Sequence, residues 1–305
     1  MVATFSPPPA LHPEDRVAVI APASGFDRPS FDAGLALIAG RYRPVLGAGL
    51  FERHRYLAGT DARRFADLTG ALADPQLKAV FCARGGYGAT RLLGRLTDVT
   101  PPGQPKLLVG FSDITALHLW LQANGRISIH GPVVTQLGRL PAATSERLFA
   151  LLESATPAPA LQAEATYVGG MAEGPLLGGN LSVFSRVLGT PFMPDLDGAV
   201  LLLEDTGERP YRLDRMWTHL EIAGVFRRVR GIVLGQFVAC EESGANYTSA
   251  EVLRELTQAT GLPCAAGFPI GHGEVNEPVP LGARVRLDAD ARRLEFLEPA
   301  ARAAG

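Results

Sequence analysis

Hydrophobic positions in the first half of the chain fall into short solid runs separated by stretches of helical period. Residues 16–21 (Arg-Val-Ala-Val-Ile-Ala) are a β-branched run closed by Pro22-Ala23-Ser24-Gly25. Residues 61–73 place Phe65, Leu68 and Leu72 at helical spacing, and 77–83 form a second solid run, which reads as a buried strand. Gly85-Gly86-Tyr87-Gly88 follows, then a helical stretch over 89–96. A third run, 107–109, leads straight into a helical pattern that continues to Gln122. Strands alternating with helices predict a parallel sheet covered on both faces, with ligands held at the carboxyl ends of its strands. Both Gly85-Gly86 and Ser112 fall at such ends.

The pattern changes at 154–166, where Ala155-Thr156-Pro157-Ala158-Pro159-Ala160 has no period and reads as a linker of limited flexibility. Beyond it come a glycine-rich stretch at 174–179, a helix at 180–188, a strand at 199–204 ending in Glu204 and a helix at 211–222. A strand at 231–237, a helix at 249–260 and a hairpin over 283–296 around Asp288-Ala289-Asp290-Ala291 complete the pattern. The expected architecture is α/β: a doubly wound parallel-sheet domain over 1–153, a linker over 154–170, and a β-rich α+β domain over 171–305. No internal repeat is apparent.

Composition removes several function classes. The 305 residues are 47% hydrophobic and 20% charged with a net charge of −2, as in a globular chain long enough for two domains. The densest basic segment, Arg227-Arg228-Val229-Arg230, is too short for a nucleic-acid surface, so no nucleic-acid partner is expected. Residues 1–15 lack the charged start and apolar core of a leader, and no run has the length of a membrane span. A cytoplasmic protein with no membrane partner is the expectation. Cys82, Cys240 and Cys264 are odd in number, widely spaced and set in apolar surroundings, which suggests buried free thiols.

The candidate chemistry is local and, taken residue by residue, ambiguous. In Val109-Gly110-Phe111-Ser112-Asp113-Ile114, a strand breaks into a helix at a serine. This can expose a nucleophilic hydroxyl beside unpaired helix N–H groups, or it can be an ordinary N-cap with Asp113 in the first turn. The Gly-x-Ser-x-Gly elbow is incomplete, because Ile114 occupies its second glycine position. The glycine loop at 85–88 lacks the third glycine of a dinucleotide fingerprint and the Lys-Ser/Thr of a P-loop. The six histidines make no metal-ligand pairing, so neither cofactor nor metal is expected. His118 reads as a packed core residue, and His130 as a strand-end residue near the site. Glu204 is either solvated at a sheet edge or held for a purpose. His272 stands between Gly271 and Gly273, which let backbone approach closely. Serine, acid and base in that chain order are permissive evidence for a triad.

Taken together, the motifs say more. The segments 83–93 (Ala-Arg-Gly-Gly-Tyr-Gly-Ala-Thr-Arg-Leu-Leu), 110–115, His130-Gly131-Pro132, Gly178-Gly179-Asn180-Leu181 and 203–215 resemble those of the serine LD-carboxypeptidases in kind and in order. So do Gly271-His272-Gly273 and Pro278-Val279-Pro280-Leu281-Gly282, and the resemblance spans about 17–287. It implies Ser112 as nucleophile, Glu204 as triad acid and His272 as general base. It also implies an oxyanion hole from the backbone N–H groups of Gly86, with Gly85 second to it, and Asp113. The activity so implied is release of terminal D-Ala from the murein tetrapeptide L-Ala-D-Glu-meso-diaminopimelate-D-Ala during cytoplasmic peptidoglycan recycling, by a homodimer with its site at the domain junction.

A related branch of the family cleaves microcin-type aminoacyl nucleotides. The chain is short for that branch and has no aromatic-rich insertion between Ile222 and Gly231, which points to the murein branch. A two-domain small-ligand-binding protein is the non-enzymatic rival. The implied partner is a small peptide with a free C-terminal carboxylate, which needs a cationic or amide-rich partner. Arg84 and Arg91 are nearby in sequence, yet pairing with the protein's own acids is the simpler role for each, and the anchor stays unassigned.

Overall fold

Each solid apolar run in the first half becomes a parallel strand of one sheet in the computed structural model, which describes residues 5–303. The outermost ends of the two expected domains, and the start of the segment read for a leader, lie outside the described residues. The elements in chain order are β1 (Arg16–Ile20), α1 (Arg28–Ala39), β2 (Arg43–Leu46), α2 (Asp61–Ala73), β3 (Ala79–Cys82), α3 (Thr90–Leu93), β4 (Leu107–Gly110), α4 (Thr115–Ala123) and β5 (Ser128–His130). The strands run parallel in the order β2-β1-β3-β4-β5. The chain reverses its direction of winding between β1 and β3, and the carboxyl ends at such a point form a crevice. β3 and β4 are buried along their whole length, as strands covered on both faces must be. Pro44 is tolerated because β2 is an edge strand.

Two short helices, α5 (Val134–Leu137) and α6 (Ala142–Glu153), lead to the second half. Within the stretch expected as linker, two short segments pair as strands, β6 (Leu161–Gln162) and β7 (Ala165–Val168), and they form the two edges of an eight-stranded second sheet. The remaining elements of the second half are β8 (Met171–Asn180), α7 (Leu181–Val187), β9 (Val200–Thr206), α8 (Pro210–Ile222), β10 (Gly231–Val238), α9 (Ser249–Thr260), β11 (Cys264–Ala266), β12 (Val279–Leu281), β13 (Arg284–Asp288) and β14 (Arg293–Phe296). The order is β6-β14-β13-β8-β9-β10-β11-β7. The centre, β8-β9-β10-β11, is parallel, and antiparallel strands flank it, including the β13–β14 hairpin expected from the tail. The fold is thus α/β, with a first sheet whose five strands β1–β5 are parallel and a mixed second sheet.

β12 belongs by sequence to the second half, yet it pairs antiparallel with β5 and becomes the outer strand of the first sheet. Helix α4 lies between the halves, and its residues from Thr115 to Gln122 are all buried, as for a helix with no solvent face. One hydrophobic cluster runs from Leu108, Ile114 and Leu117 through Leu177 and Leu181 to Leu203. Polar bonds add to it: Asn180 N donates to Thr115 Oγ1 at 3.0 Å and Gly178 N to Gln122 Oε1 at 3.4 Å.

Candidate active site

The serine turn is built by the end of β4. At Gly110 a side chain would bring a Cβ within 3.0 Å of Ile114 and 3.2 Å of Cys82, a tight fit that favours glycine where the strand ends. Two residues on, Ser112 has φ +63°, a left-handed conformation costing a non-glycine residue roughly 1–2 kcal/mol. The N-cap reading does not hold. The cap of the short 3-10 turn Ser112–Ile114 is Phe111, and no side chain caps either that turn or α4. Ser112 therefore sits at a strained turn with its side chain half-buried and its hydroxyl not engaged in capping.

Asp113 explains part of what holds this turn. Its buried carboxylate accepts the N–H of Ala89 at 2.7 Å, which ties the serine turn to the glycine loop after β3. Burial pushes its carboxyl up to about 6, against the pull of that hydrogen bond. The loop comes very close: a Cβ at Gly85 would lie 2.9 Å from Ser112 Cβ. Gly86 has φ +96°, and a Cβ there would lie 2.5 Å from Ser24 Oγ. Ser24 follows β1, and its hydroxyl accepts Tyr87 N at 3.0 Å and donates to Tyr87 O at 3.2 Å, joining the two loops that flank the winding reversal. Arg64, 1% exposed, donates to Gly88 O at 2.7 Å, to Pro22 O and to Asp61. Among the described residues, the N–H groups of Gly85 and Gly86 meet no backbone or side-chain acceptor.

Glu204 is at 0% exposure, so the solvated reading fails. Its Oε2 lies 2.6 Å from Nδ1 of His272. Glycines on two sides make the room: a Cβ at Gly235 would come 3.0 Å from Glu204 Cβ, and one at Gly271, φ +118°, 2.5 Å from Glu204 Oε2. An ionised carboxylate can only accept, so Nδ1 carries the proton and Nε2 is left as the basic nitrogen. Burial opposes the imidazolium, but the Glu204 hydrogen bond and charge, with the charge of Asp205, outweigh it and raise the pKa of His272 above the ordinary value. Asp205 points the other way along β9 and accepts Asn180 Nδ2 at 3.0 Å, Ser182 N at 2.8 Å and Thr206 N at 2.8 Å. Burial, then the charge of Glu204, pushes it up to about 7.

The two halves of the site meet through Phe111, the neighbour of Ser112, whose ring centroid lies 4.7 Å from that of His272. The His272 loop is pinned by side-chain amides: Gly271 N donates to Asn276 Oδ1 at 2.9 Å, Asn276 Nδ2 to Gln136 Oε1 at 3.0 Å, and Gly273 N to Gln236 Oε1 at 3.0 Å. An open cavity of about 1070 Å³ lies against His272 and is lined also by Gln136, Arg139, Gln236 and Glu274.

Other sequence candidates sort as follows. Arg91 pairs with Asp61 at 2.6 Å, as expected, whereas Arg84 donates to the carbonyl of Gly25 at 2.7 Å rather than to an acid. His118 is a core residue, bonded to Ser128 Oγ at 2.9 Å and Gly110 O at 2.8 Å. His130 ends β5, with its ring 5.9 Å from Phe111, and burial, with His118 and His272 nearby, holds its pKa well below the ordinary value. All three cysteines are buried free thiols. Among the described residues no three His, Cys, Asp or Glu side chains converge as metal ligands would, and no helix is long and apolar enough to cross a membrane. Gln136, Arg139, Gln236 and Asn276 were not legible as site residues, since they sit in a one-turn helix, loops and a strand end with no local motif.

A two-sheet α/β molecule with a strained serine turn on one half and a buried carboxylate–histidine pair on the other defines a serine-type hydrolase scaffold. The chain belongs to the LD-carboxypeptidase family: residues 17–131 match its N-terminal domain and 173–287 its C-terminal domain. It is 37% identical to the "Probable murein peptide carboxypeptidase" of Bacillus subtilis, over 92% of this chain and 91% of that protein. It is 35% identical to the "Murein tetrapeptide carboxypeptidase" of Pseudomonas aeruginosa, over 92% and 95%. The crystal structure of muramoyltetrapeptide carboxypeptidase from Oxalobacter formigenes superposes with a TM-score of 0.84 at 28% identity, covering 95% of this chain and 100% of that one. The protein is therefore a hydrolase of the serine LD-carboxypeptidase type.

Proposed function

We propose that the protein releases terminal D-Ala from murein tetrapeptide by cleaving an LD amide bond, with Ser112 as nucleophile, His272 as general base and Glu204 as the acid that orients it. The observation that carries this reading is the buried Glu204–His272 pair, 2.6 Å apart, seated against Phe111 beside the strained Ser112. In the first step Ser112 Oγ attacks the carbonyl carbon and its proton passes to Nε2 of His272. The C–N bond then breaks, the same proton leaves with the amine of D-Ala, and an acyl-serine remains. Water, deprotonated by His272, attacks the ester and restores Ser112. The N–H groups of Gly86, with Gly85 beside it, and Asp113 face the developing oxyanion, where one such donor is worth about 2.7–4 kcal/mol of barrier. Glu204 keeps the proton on Nδ1 and stabilises the imidazolium formed in passing.

The reading extends to a division of the chain at 154–170, to work in the cytoplasm during peptidoglycan recycling, and to a homodimer, which light scattering would test. For the reaction itself, purified protein and its Ser112→Ala variant are incubated with murein tetrapeptide and with an aminoacyl sulfamoyl nucleotide. D-Ala release from the tetrapeptide that falls at least about 10⁴-fold in the folded variant is the expected result. Cleavage of the nucleotide alone would replace the murein substrate with the other branch's, and turnover that survives in Ser112→Ala would remove Ser112 from the chemistry.

A further inference from the structure

The cavity beside His272 is lined by groups whose hydrogen-bonding sense can be worked out from the backbone. Gly271 N–H can only donate, so the Asn276 atom it meets at 2.9 Å is the amide oxygen. Asn276 therefore presents its NH₂ to Gln136, and the Gln136 atom at 3.0 Å is again the oxygen. The NH₂ of Gln136 is left over, with no partner among the described residues. The same argument applies to Gln236, whose oxygen accepts Gly273 N–H at 3.0 Å and whose NH₂ is likewise unused. Gly273 is suited to this approach, since a Cβ there would lie 2.0 Å from Gln236 Oε1. Both amides are thus held by their oxygens, which leaves their donors for the cavity they line.

Arg139 lines the same cavity. Its backbone N–H closes on Gln136 O at 3.1 Å, which fixes its base, while its guanidinium makes no ion pair among the described residues. The other arginines near the serine turn are engaged: Arg64 with Asp61, Pro22 O and Gly88 O, Arg91 with Asp61, and Arg84 with Gly25 O. One planar cation and two amide NH₂ groups around a cavity form a donor set for a carboxylate, which takes up to four hydrogen bonds and pairs bidentately with arginine.

We infer that Arg139, assisted by the amide nitrogens of Gln136 and Gln236, binds a carboxylate of the peptide substrate and so selects for it. This rests on the peptidase reading above. Three carboxylates of such a peptide carry the same chemistry, that of the departing terminal residue, that on the side chain of the residue before it and the free one of D-Glu; the inference concerns the first two, which belong to the residues flanking the scissile bond. Glu274, on the same cavity, supplies an acceptor for an ammonium group neighbouring the carboxylate.

Three peptides distinguish the sources: the tetrapeptide, its C-terminal amide, and the tetrapeptide with lysine in place of diaminopimelate, which lacks the side-chain carboxylate. Binding to the Ser112→Ala protein is measured by calorimetry with Arg139 intact and with Arg139→Ala, and turnover is followed in parallel on the protein with Ser112 present. Arg139→Ala should weaken the tetrapeptide about 10–100-fold, with partial recovery in Arg139→Lys, which keeps the charge and loses the fork. It should weaken one stripped peptide comparably and leave the other unchanged, and the unchanged one names the carboxylate held. Equal losses on all three peptides, or no loss on any, overturn the inference. If Arg139-dependent binding is seen without turnover, the reaction assignment fails and this one stands. Turnover with binding indifferent to Arg139 gives the reverse, and a protein that neither binds nor cleaves removes both.

Discussion

Ser112, Glu204 and His272 show how little of a residue's role is carried by its own neighbours in sequence. Ser112 reads first as an N-cap, and what separates the readings is a backbone angle of +63° and the absence of any side-chain cap, with Gly85 packed close against it. Glu204 reads first as a solvated strand end, and its 0% exposure depends on glycines 31 and 67 residues away at Gly235 and Gly271. The His272 environment has a consequence for pH. In the proposed mechanism only the neutral imidazole can take the serine proton, so kcat/KM should fall as pH drops through the His272 pKa. Since Glu204 raises that pKa above 6.5, the acid limb should lie above this value. In Glu204→Gln the burial that opposes the charged ring remains while the opposing charge is lost, so the limb should move to lower pH as the rate falls. A pH–rate profile checks both, and a limb that stays in place in Glu204→Gln would argue against the pairing.

At the scale of elements, long periodic segments were legible and edges were not. The helices Asp61–Ala73 and Ser249–Thr260 have the expected bounds, the second closed by a capping box between Thr248 and Glu251. Helix α1 was not among the expected elements, and it carries Gly34, a poor helix former; a Cβ there would meet Val134 O at 1.8 Å, so the glycine serves the contact with α5 rather than the helix. β8 was hidden for a related reason. Its glycines at 174, 178 and 179 break the alternation that marks a strand, because the backbone must pass close to Leu202 O and Thr115 Oγ1. The Thr115 contact fastens β8 to α4, the helix that follows the serine turn. Thr115→Val keeps the shape and removes the acceptor of Asn180 N–H, leaving a buried donor unpaired, which should cost about 1–3 kcal/mol in urea unfolding. A loss below about 0.5 kcal/mol would mean that the bond contributes little to the join.

For the molecule as a whole, the two sheets are not independent bodies. β12 leaves the second half to finish the first sheet, the Pro9–Arg302 bridge brings the two ends of the described chain together, and one apolar cluster crosses the junction around α4. Unfolding should accordingly be a single transition. The chain has two tryptophans, Trp120 on α4 and Trp217 on α8, so Trp120→Phe and Trp217→Phe each leave one reporter per half. Their fluorescence midpoints in urea, each compared with far-UV circular dichroism of the same variant, should coincide, and a separation between the two probes would mean that the halves unfold singly. The sequence by itself determined the alternation of strands and helices, because burial on both faces of a parallel sheet writes solid apolar runs into the chain. Its ordered motifs also marked the family. Only the tertiary structure decided that Glu204 is buried against His272, that Ser112 is strained rather than capping, and that Arg139 and two amide donors border the same cavity. Those depend on contacts between residues from tens to well over a hundred positions apart, whose packing no local pattern records.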